Sequence, residues 1–250
     1  MIWLTGDTHG HFERIEAFCR EKQTTVDDIL IILGDAGFNF GGGARDLALK
    51  TYASQFPITI FSLHGNRENR PQNIPGYGEG TFCGGKILYE PQFPNLLFAV
   101  DGEVYRFGGR NCLAVGGAYS TGKAYRLAKG MGWWPDEQPS EKTKRHVEQL
   151  LDARGWQMDM VLTHTCPLRY KPLEALSLIL TSPRSIAQRR HGWIKSKNGW
   201  ITNAGTAGIS IRTKPSGGCG FYFRNSCRWG NRTLAAGALV RTPRSGGAFG

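Results

Sequence analysis

Beyond Glu174 the chain contains no aspartate or glutamate. A stretch of that length would ordinarily carry roughly nine acidic residues. Residues 175–250 nonetheless hold twelve lysines and arginines. Nineteen of the 31 basic residues and all 20 acidic ones lie earlier, so residues 1–174 stand at −1 and the tail's +12 brings the whole chain to +11. Other absences narrow the class. No apolar run approaches the ~18 residues of a membrane-spanning helix. The start shows no basic segment followed by an apolar one, so no secretory signal is expected. Six cysteines (Cys19, Cys83, Cys112, Cys166, Cys219, Cys227) form no C-x-x-C pair; this fits a reducing compartment and a cytoplasmic expectation. No internal repeat is present.

Four short polar motifs follow apolar runs. Ile2-Trp3-Leu4 precedes Asp7-Thr8-His9, and Ile29 to Leu33 precedes Gly34-Asp35. Ile58 to Leu63 precedes Gly65-Asn66-Arg67-Glu68, and Met160-Val161-Leu162 precedes Thr163-His164-Thr165. A strand ending in such groups delivers them to the C-terminal edge of a sheet, where open α/β sheets bind their ligands. Carboxylate and amide oxygens with imidazole nitrogens suit a divalent ion without any thiolate. Each motif alone has a plainer reading. Asp7-Thr8-His9 would serve as a capped turn, Asn66 beside Gly65 as a turn residue, and His164 as a hydrogen-bonded core histidine. Their company argues for a metal site.

In order and spacing these motifs resemble the calcineurin-like metallophosphoesterases over roughly residues 1–175. Gly116-Gly117-Ala118 and Trp133-Trp134-Pro135 fit that family's smaller phosphatase-like members. The resemblance implies a phosphomonoester or phosphodiester substrate and two divalent ions (manganese, iron or zinc) that together turn water into hydroxide. Asp7 and His9 would hold one ion, Asp35 would bridge, and Asn66 and His164 would hold the second. Arg67 stands where the family usually has histidine. Arginine gives up no proton at neutral pH, but its planar fork suits a phosphate oxyanion, so Arg67 and Asp35 are the expected catalytic residues. Glu68 would orient a ligand. His11 and His64 lie near the loops, with ordinary roles favoured over substrate contact. The family's closing Gly-His-x-His, which gives one histidine to each metal, is missing; the sole histidine after His164 is His191.

A shifted reading frame accounts for both the acid-free tail and the missing motif. When each new codon takes the third base of one codon and the first two of the next, Trp200 into Ile201 must give aspartate. From Ile201 through Lys214 the code then permits Tyr-Lys-Arg-Trp-Tyr-Cys-Gly-His-Phe-His-Thr-Asp-Lys. The glycine arises at Ala207/Gly208, and the histidines at Gly208/Ile209 and Ser210/Ile211. The tail is therefore read as frameshifted from near Ala175. The alternative is a genuine basic, glycine-rich extension. In that case the chain would be a catalytically inactive binding protein, gripping nucleic acid or another anionic partner through twelve cations interleaved with Trp193, Trp200, Tyr222 and Trp229. Nucleic acid is not favoured, and no membrane partner is expected.

The remaining pattern gives an α/β fold. Helical spacing covers His11 to Lys22 and Ala44 to Gln55, and Ser140 caps a helix over Lys142 to Arg154. The loop between the first two carries Gly41-Gly42-Gly43. From Lys86 to Gly117, short β segments (Ile87 to Tyr89, Leu96 to Val100, Val104 to Phe107, Leu113 to Val115) suggest consecutive antiparallel pairs. Two mixed sheets between helices, an α/β/β/α sandwich, fit this order and are also what the resemblance implies. The expected organisation is one phosphoesterase domain over residues 1–174, C-terminally incomplete, followed by a poorly structured tail over 175–250.

Overall fold

Ile29 to Leu33 offers no polar position, so a strand made from it must be covered on both faces. The computed structural model describes residues 1–165, 209–213 and 219–221, and places this run as β2 (Ile29–Ile32). Strands β1 (Ile2–Thr5) and β3 (Thr59–Ser62) pair with it in parallel on either side. The crossovers are α1 (Glu13–Lys22) and α2 (Gly43–Ser54). With β4 (Gly78–Phe82), β5 (Gly85–Tyr89) and β6 (Leu96–Ala99), the first sheet runs β1-β2-β3-β6-β5-β4. β6 joins in parallel, and the β4 and β5 pairings are antiparallel.

The second sheet contains β7 (Val104–Phe107), β8 (Arg110–Val115) and β9 (Met160–Thr163). β7 pairs antiparallel and β9 parallel with β8. Between β8 and β9 come α3 (Lys123–Ala128) and α4 (Glu141–Ala153). Ser140 caps α4 by accepting the Thr143 N–H at 3.1 Å, as its sequence position requires.

Because side chains alternate along a strand, each central strand feeds two cores. Leu30, Ile32, Ile60, Leu96 and Phe98 pack with Phe12 and Ile15 on the α1 side. Ile31, Leu33, Phe61, Leu63 and Leu97 meet Tyr105, Phe107, Ala114 and Leu162 between the sheets. Leu113 and Val115 pack with Val147 and Leu151 of α4. The layers are helix, sheet, sheet, helix. Each fully buried Leu, Ile or Phe contributes about 1.5–3 kcal/mol, so the intersheet layer is what fixes one sheet over the other.

One departure from the sequence reading has a physical cause. β6 and β7 do not pair; Val100 to Glu103 carry the chain to the second sheet. Tyr105 locks that crossing, its hydroxyl accepting the Val100 N–H at 2.9 Å and donating to the Lys86 carbonyl at 2.5 Å. The tail contributes two short strands. Within the stretch expected to carry little regular structure, β10 (Ile209–Thr213) pairs antiparallel with β9, and β11 (Cys219–Phe221) with β10. The open edge of β9 offers unpaired backbone groups to any extended segment, and Ile-Ser-Ile-Arg-Thr is rich in β-branched residues. The remaining tail positions lie outside the described residues. Among those described, no helix is long and apolar enough to cross a membrane.

Candidate metal centre

The loops after β1, β2, β3 and β9 meet at one edge of the sandwich. The first two are tied together by backbone bonds: the Thr8 and His9 N–H groups both donate to the Asp35 carbonyl, at 3.2 and 2.8 Å. His9 and Asp35 each adopt a left-handed backbone, with φ of 49°. Such strain persists where the surroundings enforce it, and it concentrates at functional sites. Two glycines make the convergence possible. A Cβ on Gly34 would lie 2.2 Å from His164 Nδ1, and one on Gly65 would lie 2.0 Å from Asp35 Oδ1.

The five residues expected as ligands come together. One ligand atom from each of Asp7, Asp35 and His164 lies within 4.8 Å of the others. His164 Nε2 is 3.0 Å from Asn66 Oδ1 and 3.7 Å from Asp35 Oδ2. His9 Nε2 lies 3.4 Å from Asp7 Oδ2 and 4.0 Å from Asp35 Oδ2. Asp35 and His164 are buried, and His9 is exposed.

Hydrogen bonding leaves acceptors facing acceptors. His164 Nδ1 lies 2.8 Å from the Leu33 carbonyl, so it must carry a proton and donate it, leaving Nε2 with a lone pair in the neutral ring. The Asn66 amide donates to Ser120 Oγ at 2.8 Å, which turns its oxygen toward that lone pair. Asp7 Oδ1 is buried without a hydrogen-bond partner. Either a proton or a cation must sit among these atoms. The titration of the groups reflects this. Burial disfavours the His164 cation, but Asp35 and Asp7 outweigh it and raise its pKa. The Asp7 bond raises that of His9 against its partial burial. Burial pushes Asp7 up, yet His9 and His164 bring it below the usual range. Two carboxylates, two imidazoles and an amide oxygen fit a hard or borderline divalent ion.

Glu68 holds the scaffold behind them. Its two oxygens accept the Gly65 N–H at 2.9 Å and the Gly37 N–H at 3.2 Å, joining the loops after β2 and β3. Burial and the adjacent Asp35 raise its carboxyl well above the ordinary range. Arg67 is exposed, and its backbone N–H donates to Asp35 Oδ1 at 2.8 Å. His11 is also exposed. His64 is buried, with both ring nitrogens unpartnered, and its pKa is driven well below the ordinary value by burial and Arg70; it is a neutral core residue.

Three supporting residues carried no sequence signal of their own. Ser120 holds the Asn66 amide. Glu137 accepts the Ser120 N–H at 3.1 Å and the Trp133 indole N–H at 2.8 Å. Arg70 donates to Asp101 at 2.7 Å and to the Asp136 carbonyl at 2.7 Å. The Gly116-Gly117-Ala118 and Trp133-Trp134-Pro135 segments flag the neighbourhood without assigning roles within it.

The family model for calcineurin-like phosphoesterases matches residues 1–174, and the chain belongs to that family. No curated protein matches it.

Proposed function

We propose that residues 1–174 form the catalytic body of a phosphoric ester hydrolase, with Asp7, His9, Asp35, Asn66 and His164 holding two divalent ions around a bridging Asp35. One observation carries this: His164 Nε2 and Asn66 Oδ1 face each other at 3.0 Å beside Asp35 Oδ2, and Asp7 Oδ1 is buried without a hydrogen-bond partner. Divalent ions bound there would acidify a water and neutralise charge on the ester oxygens. Asp35 is suited to bridging because one carboxylate can give an oxygen to each ion. Arg67 stabilises charge on phosphate oxygens and donates no proton, and His64 is sealed in the core away from substrate.

Turnover by this chain is impaired, because each ion lacks one histidine of Gly-His-x-His. The frameshift reading is supported by the coincidence of the last acidic residue, Glu174, with the end of the family match. It is also supported by the register of β10. Ile209 pairs with Thr163, next to His164, and the permitted histidines overlap Gly208 to Ile211. β10 itself does not decide between the readings, since any β-prone segment would pair with that edge.

The decisive comparison sets the 250-residue chain against a restored-frame version from Ala175. Manganese affinity by calorimetry should be weak in the first and strong in the second, and p-nitrophenyl phosphate turnover should appear only in the second. Asp35→Asn should then remove that turnover. Full manganese-dependent hydrolysis by the chain as it stands would overturn the impairment. Retention on DNA that falls with salt, without metal binding, would favour a binding protein using its basic tail.

A further inference from the structure

Between Ala118 and Glu137 the chain leaves the sandwich and returns as a closed arm. The Ala118 N–H donates to the Glu137 carbonyl at 3.0 Å, and the Glu137 carboxylate accepts the Ser120 N–H at 3.1 Å and the Trp133 indole N–H at 2.8 Å. Loops whose ends are joined in this way are compact and often functional. α3 lies within the arm, and the turn after it folds back, with the Met131 N–H donating to the Arg126 carbonyl at 2.8 Å. Three large apolar side chains stand exposed here: Tyr125 at 63%, Leu127 at 53% and Met131 at 48%. Among the described residues, only Val26 and Leu47 are comparably exposed. Such a concentration marks an interaction surface. Its charge has one sign. No aspartate or glutamate occurs from Val104 through Pro135, whereas the arm carries Lys123, Arg126 and Lys129.

We propose that this arm is a docking surface for an acidic segment of another protein, one that carries aliphatic side chains among its carboxylates. The inference does not depend on the chemistry of the metal centre. Charge excludes the nearer occupants. A second copy meeting this face about a two-fold axis would set its lysines against themselves. The residues beyond Glu174 hold twelve cations and no acid, so the chain's own tail is repelled as well. Among anionic partners, the exposed side chains decide. Single-stranded nucleic acid needs aromatic faces for its bases, and on the arm only Tyr125 offers an exposed ring. A membrane surface is gripped by tryptophans at the headgroup level. Here the Trp133 indole is bound to Glu137 with Lys123 Nζ 3.8 Å from its ring centre, and Trp134 meets Phe40 edge-on at 5.8 Å. Leucine and methionine instead suit an apolar protein partner, methionine because it adapts to irregular shapes. The exposed Lys129 draws carboxylates to the rim.

The test is fluorescence anisotropy of the full chain with two labelled glutamate-rich peptides of equal length and charge, one with leucine at helical spacing and the other with alanine in its place. The twelve cations beyond Glu174 attract both alike, so the difference between the peptides reads the arm. The leucine peptide should bind the tighter by about tenfold. Leu127→Gln and Met131→Gln should each weaken it by about fivefold, and the double variant should bring it to the level of the alanine peptide. Because both side chains are exposed, these variants keep the fold, which thermal melts verify. Val26→Gln, also at an exposed apolar side chain but outside the arm, serves as the control and should change neither peptide. Equal binding of the two peptides to the parent, or full affinity for the leucine peptide in the double variant, overturns the docking surface. Oligothymidylate or anionic phosphatidylserine vesicles held more tightly than the leucine peptide, and released by the same double variant, would overturn the protein partner and assign the arm to nucleic acid or membrane.

Discussion

The two sheets contribute unequally to the candidate centre. The first supplies Asp7, His9, Asp35 and Asn66 from three successive loops, whereas the second supplies only His164. The difference follows from topology. β1, β2 and β3 run parallel, so their C-terminal ends lie together at one edge. In the second sheet the only parallel neighbours among the described strands are β8 and β9. A motif supplied by that sheet must return to the same edge after β9, and this is the part missing from the sequence. Four of the five candidate residues are thus placed by a local βαβαβ unit, and the fifth depends on a long-range junction between sheets.

The largest expected effect comes from breaking that junction. Gly34 closes β2 onto His164, and its φ is +98°. Gly34→Ala combines backbone strain with a collision against the imidazole, so stability should fall by about 3 kcal/mol and metal affinity by about 100-fold. Gly84→Ala shares the positive φ of +84° but meets open space, and should cost only about 1 kcal/mol. Urea melts of both proteins check the contrast. Equal costs would mean that the close approach of His164 contributes nothing beyond strain.

How much was legible in the sequence follows the same divide. β1, β2, β3 and β9 could be read because their apolar runs are unbroken and each ends in a polar motif. β4 escaped because Gly-Glu-Gly-Thr-Phe has two glycines and lies at the sheet edge, where half-burial leaves no apolar pattern. α3 escaped because six residues give too few turns for a periodic signal. The converging residues of the candidate centre could be read from type and spacing. Ser120 and Glu137 could not, since their contacts depend on where the loops after β8 fold back. His64 sits beside a motif, but only its burial shows it to be core.

A smaller effect concerns pH and again separates the junction from the core. In metal-free protein, His9 and His164 have folded pKa values above their ordinary 6.5. Their stabilisation is present below that value and is lost as pH climbs through the raised folded values. Glu68, also raised, acts in the same direction: its ionisation at higher pH is disfavoured in the fold. His64 acts oppositely. Its depressed pKa means that only the unfolded chain takes up a proton below 6.5, so stability falls on the acid side. Metal-free melting temperature should therefore peak between weakly acidic and neutral pH. Manganese should lift chiefly the alkaline limb, because metal replaces the protons on the imidazoles. An alkaline limb indifferent to manganese would count against the site.

The smallest expected effect tests the link from α3 and its flanking loops to Asn66. Ser120 is 3% exposed, and its hydroxyl takes the Asn66 amide proton at 2.8 Å while its own N–H is held by Glu137. Ser120→Ala removes the hydroxyl and leaves the Glu137 bond intact, so stability should drop by no more than about 1 kcal/mol. Manganese affinity should fall by about tenfold, since the amide is then free to turn its nitrogen toward the centre. Asn66→Asp sharpens the argument, because a carboxylate presents oxygen whichever way it turns. In an Asn66→Asp background, Ser120→Ala should cost little further affinity, giving a coupling close to the full tenfold in a double-mutant cycle. If the two losses simply add, Ser120 supports the loop generally and does not set the Asn66 oxygen.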